Sequence, residues 1–361
     1  KESSAASDVY KRQVVNIFTI ILLLLVGTVF VISPANLIAN FTPSWLSVGI
    51  ITGLIFLYYF ISTFLPIDKT MGKIYPIFGA ILIVSTIAIG VMLLLQDAPL
   101  PELTGANIYL KDANGTPIFP ALFFTVSCGA MSGFHATQAP MVSRTITSEK
   151  QGRFIFYGMM VGEGVIAMIW AAASMTLFDG QTLSQLIAQG TPSAVVNQVS
   201  YMLLGSFFGF LAILGVIVLP ISSGLSAFRS LRNIIAEYIN LPQNKIRNVL
   251  LLTLPIFAVS FFLTLIDFNS LWRYFNWANQ VTAVISLFVA TRYLRLKGRN
   301  YIMTLVPGTF LLYACLVYIL SEPIGLNLGL SPLCYGLALI LAIGILALLH
   351  YTCLLYTSDA A

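Results

Sequence analysis

His135 and Glu163 are ionisable residues set inside two otherwise apolar stretches of this chain. An acid and an imidazole in such surroundings can pass a proton between them, because desolvation disfavours a lone charge on either. The histidine lies in a run of small and polar residues, SCGAMSGFHATQAP from Ser127 to Pro140. Backbone amides loosened by Gly129, Gly133 and Pro140 need internal partners in hydrocarbon, so irregular polar backbone at that depth lines a cavity or a substrate path. The plainer alternative is that Glu163 stays neutral in helix–helix hydrogen bonds while His135 satisfies backbone. Two further polar sites invite the same question. Pro220-Ile-Ser-Ser-Gly224 puts a helix breaker beside the hydroxyls of Ser222 and Ser223. Asn276, Asn279 and Gln280 place three amides, with Trp277 among them, where they would hold either a ligand or a neighbouring helix.

The elements that carry these residues are membrane spans. Hydrophobic residues make up 58% and charged residues 9% of the 361 positions, with a mean hydropathy of +0.92. Soluble domains are roughly 45–50% apolar and about 25% charged. Ten apolar stretches, at about 14–32, 45–65, 74–95, 118–141, 154–177, 198–221, 249–266, 275–292, 301–320 and 331–350, approach the roughly 20 residues that cross a bilayer. This predicts an all-α, polytopic transmembrane helical bundle. Counted inward from the ends of the fourth and fifth spans, His135 and Glu163 both lie roughly 10–14 Å deep, within reach across one helical hairpin.

Loop charge sets an orientation. Lys69 and Lys73, then Arg144, Lys150 and Arg153, then Arg229, Arg232, Lys245 and Arg247, then Arg292, Arg295, Lys297 and Arg299 fall after the even-numbered spans. The other connections hold only Lys111 and Arg273, a strict alternation that puts both visible ends in the cytoplasm. Single cysteines placed beside Arg153, Arg247 and Lys111, probed on intact cells with a membrane-impermeant thiol reagent, should label only beside Lys111. Labelling beside Arg153 would reverse the orientation.

Leu225, Phe228, Leu231, Ile234, Ile235, Tyr238 and Ile239 recur at helical spacing before Pro242, which predicts an amphipathic helix along the membrane surface. Residues 96–117 read as an outer loop and partial lid. Asn40-Phe41-Thr42 and Asn114-Gly115-Thr116 are chance-level sequons. The basic balance falls in short loops, as the positive-inside rule requires, so the bilayer and not nucleic acid is the partner. No GxxxxGK(S/T), HExxH, CxxC or GxSxG occurs, so neither cofactor nor metal is expected and any ATP-driven engine would sit on another chain. Cys128, Cys315 and Cys334 stand singly within spans as small, inert core residues.

Both ends look foreign. SSAASDVYKRQ near the start and CLLYTSDAA at the end resemble opposite-strand translations of one sequencing adaptor. Residues 1–13 and 353–361 are accordingly expected to be artefacts, leaving 14–352 as a transporter-domain fragment of a longer protein.

Four segments, SCGAMSGFHATQAPM, GRFIFYGMMVGEGVIAMIWAAASM, LPISSGLSAFRSLRNIIAEY and WRYFNWANQ, follow one another in an order that resembles the carbon starvation protein A (CstA) family, over about residues 120–293. The resemblance implies inner-membrane carriers of bacteria or archaea, related to the amino acid/polyamine/organocation superfamily with its interrupted helices. They would take up peptides or pyruvate with protons, in a carbon starvation response. It carries Ser132, His135, Thr137 and Gln138 as path candidates from the first segment, Glu163 from the second, Ser222 and Ser223 from the third, and Asn279 and Gln280 from the fourth; Gly133 joins them on its own chemistry, since it lets backbone approach closely. Leu225 stands where the family pattern leads one to expect an acid, and the resemblance leads one to expect that the family's first few spans lie outside this fragment. The rival function from another class is a membrane-embedded enzyme with His135 and Glu163 as general base and acid. Such an enzyme would gather its polar groups near one interface, whereas these are spread over several helices near mid-depth, as in transporters.

Overall fold

The structure, a computed structural model, describes residues 2–64, 67–96 and 118–358. The outer loop expected over 96–117, with Lys111 and the second sequon, lies outside the described residues except for Gln96, as do the side chains of Lys69 and Lys73. The helices are α1 (Glu2–Ala39), α2 (Val48–Phe64), α3 (Ile67–Leu95), α4 (Ile118–Ala130), α5 (Gly133–Ser143), α6 (Met159–Leu177), α7 (Gly180–Tyr238), α8 (Ile246–Leu263), α9 (Phe268–Leu296), α10 (Ile302–Ser321) and α11 (Pro332–Ser358). A 3-10 turn, Glu149–Gln151, and a π-helical turn, Arg153–Gly158, lead into α6. Among the described residues there is no strand. In hydrocarbon a helix satisfies all its own backbone groups, which is why chains this apolar fold this way.

Among the described residues, eight stretches are long and apolar enough to cross a membrane, so the chain is an all-α polytopic protein. The ten spans expected from sequence differ from these at two places. Helix α2 is only 17 residues long. Helix α9 has 29 residues but carries Asn269, Arg273, Asn276, Asn279 and Gln280 along its first half, which lowers its apolarity below that of a plain span.

The helices pack as two compact units. One unit comprises Lys1–Leu22, Thr116–Thr145 and Arg273–Ala361. Its centre is Phe124 stacked on Tyr318, ring centroids 4.3 Å apart, among Ala283, Val284, Leu311 and Cys315. Small residues at Ala314, Cys334 and Ala338 let α10 and α11 approach closely. Arg273 pairs with Glu322 at 2.9 Å, tying the start of α9 to the end of α10.

The other unit comprises Leu23–Gly115 and Ile146–Trp272. Ile89, Leu93, Ala173, Val195, Val199 and Leu203 form one apolar cluster, and Leu37, Ile213 and Ile217 a second. Rings of Phe56, Tyr59, Phe228 and Phe257 interlock with centroids 5.2–6.5 Å apart. Two polar links run between helices. The hydroxyls of Thr28 and Ser260 pair at 2.8 Å, and Trp170 Nε1 donates to Thr86 at 3.1 Å.

Helix α7 departs most from the sequence expectation, which places a span at 198–221, a break at Pro220 and then a separate surface helix. Its helical turns run unbroken through Pro220–Gly224, with Ser222 Oγ donating to the Leu219 carbonyl at 2.7 Å. Of the apolar face expected on the membrane surface, Leu225, Phe228 and Leu231 are buried in the protein, each at most 3% exposed, whereas Tyr238 and Ile239 at its far end are exposed. The real bend is earlier. Gly205 has φ +71°, and a side chain begun at Gly209 would lie 2.8 Å from the carbonyl oxygen of Ser200. In a straight helix residues nine apart stand roughly 13 Å apart along the axis, so the chain folds back sharply at Gly205. An additional arm, 180–204, is thereby set against the remainder.

Nothing lies within 4 Å of a Cβ placed on Gly205, so an alanine there meets only the left-handed backbone penalty. Gly205→Ala should destabilise the protein by about 1 kcal/mol, read as a lowered midpoint of thermal unfolding. An unchanged midpoint would mean that the bend does not depend on glycine.

Candidate substrate path

The expected interruption of the fourth span is present. Helix α4 ends at Ala130 and α5 begins at Gly133. Ser132 between them is extended (φ −78°, ψ 135°), and its hydroxyl oxygen accepts from Phe134 N–H at 3.2 Å, the N-cap arrangement that serines favour. Small residues and a hydroxyl provide the local cause: Gly129 and Gly133 weaken helix continuity on both sides while Ser132 offers an alternative partner for the backbone.

The break is held from α9. Asn279, fully buried, accepts through Oδ1 from the Ser132 hydroxyl at 2.9 Å and from Phe134 N–H at 2.9 Å. Its Nδ2 donates to Cys128 Sγ at 3.4 Å. One amide therefore links the last turn of α4 to the first turn of α5. The fit is close. A side chain on Gly133 would run into the backbone carbonyl of Asn279 and come within 2.5 Å of Thr282 Cβ, so only glycine lets α5 lie directly on α9. The space expected from sequence beside Gly133 is thus filled by helix α9.

Gln280, also fully buried, donates from Nε2 to the Phe124 carbonyl at 3.0 Å, while its Oε1 has no hydrogen-bond partner. Asn276 Oδ1 and Trp277 Nε1 are likewise buried and unpaired. Positions 276, 277 and 280 are four and three residues apart, on one face of the helix. Two acceptors and one donor without partners are costly in an apolar setting, at about 1–3 kcal/mol each, and are the groups a polar ligand or water would satisfy.

The remaining candidates take separate places. His135, Thr137 and Gln138 are half-buried on α5; Thr137 Oγ1 donates to the Phe134 carbonyl at 2.7 Å, and Gln138 Nε2 donates to Thr137 Oγ1 at 3.3 Å. Glu163 lies on an exposed face of α6, in the other unit, between Gly162 and Gly164, beside which no atom stands within 4 Å of a built Cβ. Ser222 and Ser223 are half-buried along α7, and Gly224 meets the Tyr59 hydroxyl so closely that a side chain there would collide with it. Leu225, where an acid was expected, is buried. Cys128 is the residue whose role sequence reasoning missed, as an inert core residue turns out to be a partner of Asn279. No spacing rule connects positions 151 residues apart. Among the described residues no cluster of His, Cys, Asp or Glu could hold a metal ion.

The family model for carbon starvation protein CstA matches residues 3–211, more than half of the chain. The chain belongs to the carbon starvation protein CstA family. The matched region includes the α4–α5 break and Glu163, whereas the Pro220 and Trp272–Gln280 motifs lie beyond it. Among similar proteins, an "Uncharacterized membrane protein" of Haemophilus influenzae is 35% identical over 228 residues, covering 49% of this chain and 61% of that protein. The pyruvate/proton symporter BtsT of Escherichia coli K12 is 30% identical over 144 residues, 38% of this chain and 19% of BtsT. The peptide transporter CstA of the same organism is 31% identical over 144 residues, 38% of this chain and 17% of that transporter. This chain thus spans about three fifths of the Haemophilus protein and less than a fifth of the two transporters. No solved structure matches it.

Proposed function

We propose that the parent of this chain is a secondary transporter of the inner membrane that takes up short peptides or pyruvate with protons by alternating access. One observation carries the proposal: an interrupted membrane helix clasped by Asn279, beside buried polar atoms of Asn276, Trp277 and Gln280 that have no partner. Interrupted helices at membrane depth are tolerated where they line a cavity, and they bring polar backbone to a substrate. The two Escherichia coli relatives, a pyruvate/proton symporter and a peptide transporter, supply the substrate classes. In this scheme Ser132, His135, Thr137 and Gln138 face the path from α5, and Asn279 and Gln280 from α9. Glu163 exchanges the coupling proton, and both visible chain ends face the cytoplasm.

The test is uptake of labelled pyruvate and labelled dipeptides by the full-length parent in proteoliposomes, with an imposed gradient acid outside. Accumulation of one class above its external concentration, abolished by a protonophore, is the expected result. Uptake no faster than in protein-free vesicles for both classes would remove the proposal.

A further inference from the structure

Beneath the arm formed by residues 180–204, the unit that holds α7 contains a cavity of about 520 Å³. Leu183, Ile187 and Val195 line it from the arm, Leu82 from α3, Trp170 from α6 and Val216 from the main length of α7. Leu82, Trp170 and Val216 all belong to stretches long and apolar enough to cross a membrane, which sets the cavity at hydrocarbon depth. Its wall runs from buried residues, Leu82 and Val195, to exposed ones, Ile187 and Pro192, so it opens at the protein surface. Among the described residues no charged side chain lines it, and its two polar side chains are already engaged. The Trp170 indole N–H donates to Thr86 at 3.1 Å, and Ser174 Oγ donates to the Trp170 carbonyl at 2.9 Å. A carboxylate or an ammonium group would find no side-chain partner in such a wall and would be costly to bury there. Water does not fill it either: packed interiors leave few voids larger than one water molecule, and an apolar void stays dry. What fills a void at this depth is the surrounding medium, which is hydrocarbon.

We infer that this cavity is a binding site for one acyl chain of a membrane lipid, held between the arm and the helices beneath it. Capacity supports a single chain. An apolar cavity of about 150 Å³ takes one benzene ring of six carbons, so a cavity of 520 Å³ takes roughly 20 carbons, the size of one phospholipid chain and short of two. Because the arm supplies one wall and α3, α6 and α7 supply the others, the chain touches both sides and joins the arm to the body through apolar contact. The lipid is thus a bound component of this unit, distinct from the freely exchanging lipid around it.

The test is the fluorescence of the full-length protein, delipidated in a steroid-based detergent, with Trp170 kept and every other tryptophan changed to phenylalanine. The probe is a lysophosphatidylcholine whose single chain is brominated near its middle, because bromine quenches an indole that it touches. Emission should fall by more than half and saturate at about one lipid per protein, as a single site requires. Ala171→Phe puts a ring into the wall beside Trp170 and should reduce the quenching several-fold. Ala167→Phe, one turn away at an exposed position outside the wall, should leave it unchanged. Should Ala171→Phe not fold, Val216→Phe narrows the cavity from α7 and should have the same effect. Should the tryptophan replacements not fold, the unbrominated lipid should raise the unfolding midpoint of the unsubstituted protein by on the order of 5 °C, and Ala171→Phe should remove that rise. Quenching that is absent or never saturates would overturn the inference, as would undiminished quenching in the filled variants. Relief of the quenching by saturating pyruvate or dipeptide would overturn it too, and would assign the cavity to the transported substrate.

Discussion

Replacing Asn279 with leucine should abolish uptake and lower stability by about 2–4 kcal/mol, the largest single-residue effect expected in the unit containing the broken helix. Leucine keeps the volume but removes the acceptor that caps α5 through Phe134 N–H and Ser132, and the donor that reaches Cys128. Asn279→Asp separates these roles. A carboxylate still accepts both hydrogen bonds at the N-terminus of α5, where negative charge is favoured, but it no longer donates to Cys128. The aspartate variant should therefore recover more of the unfolding midpoint than the leucine variant. Equal midpoints for the two would mean that Asn279 contributes packing alone, and that the break is held by other contacts.

Glu163→Gln should give a different phenotype. Glutamine preserves shape and hydrogen bonding but cannot titrate, so uptake driven uphill by a pH gradient should fall to background. Exchange of labelled for unlabelled substrate at equal pH on both sides should persist. This separation follows from the proposed role as the proton-exchanging group, which matters only when protons must cross with substrate. Loss of both activities would mark Glu163 as a binding or structural carboxylate, and undiminished uphill uptake would exclude it from coupling.

Much of the architecture could be read from the sequence because hydrocarbon imposes a simple rule of length and apolarity. The interruption near Ser132 was visible as well, since small, polar and helix-breaking residues are concentrated in one span. The arm at 180–204 was not. Leu183, Ile187, Val195, Val199 and Leu203 carry its apolar stripe, but Gln181, Thr182, Ser184 and Gln185 dilute it below the level of a span. Asp179 accepts from Thr182 N–H at 2.7 Å and caps the arm's start, and this bond holds its carboxyl below the usual range. The position of the bend was misjudged for a related reason. Pro220 is an evident breaker in the sequence, yet buried residues on either side, Ile217 and Leu225, hold the helix through it. Gly205 bends the chain without a breaker's signature. The clasp by Asn279 is a tertiary fact, joining positions 147 residues apart, and local pattern carries no trace of it.

The central claim, that the interrupted helix lines the substrate path, is tested most directly by accessibility at the break. In the full-length parent with Cys128, Cys315 and Cys334 replaced by alanine, single cysteines at Thr137 and Gln138, half-buried on α5, would be compared with one at Val126, which is 59% exposed on α4. Labelling by a membrane-impermeant, water-dependent thiol reagent would be followed with and without saturating substrate, in a protein confirmed to transport. The α5 positions should label and be protected several-fold by substrate, while position 126 stays unreactive under both conditions. Labelling of α5 that substrate leaves unchanged, or no labelling of α5 at all, would contradict the account and place the path elsewhere.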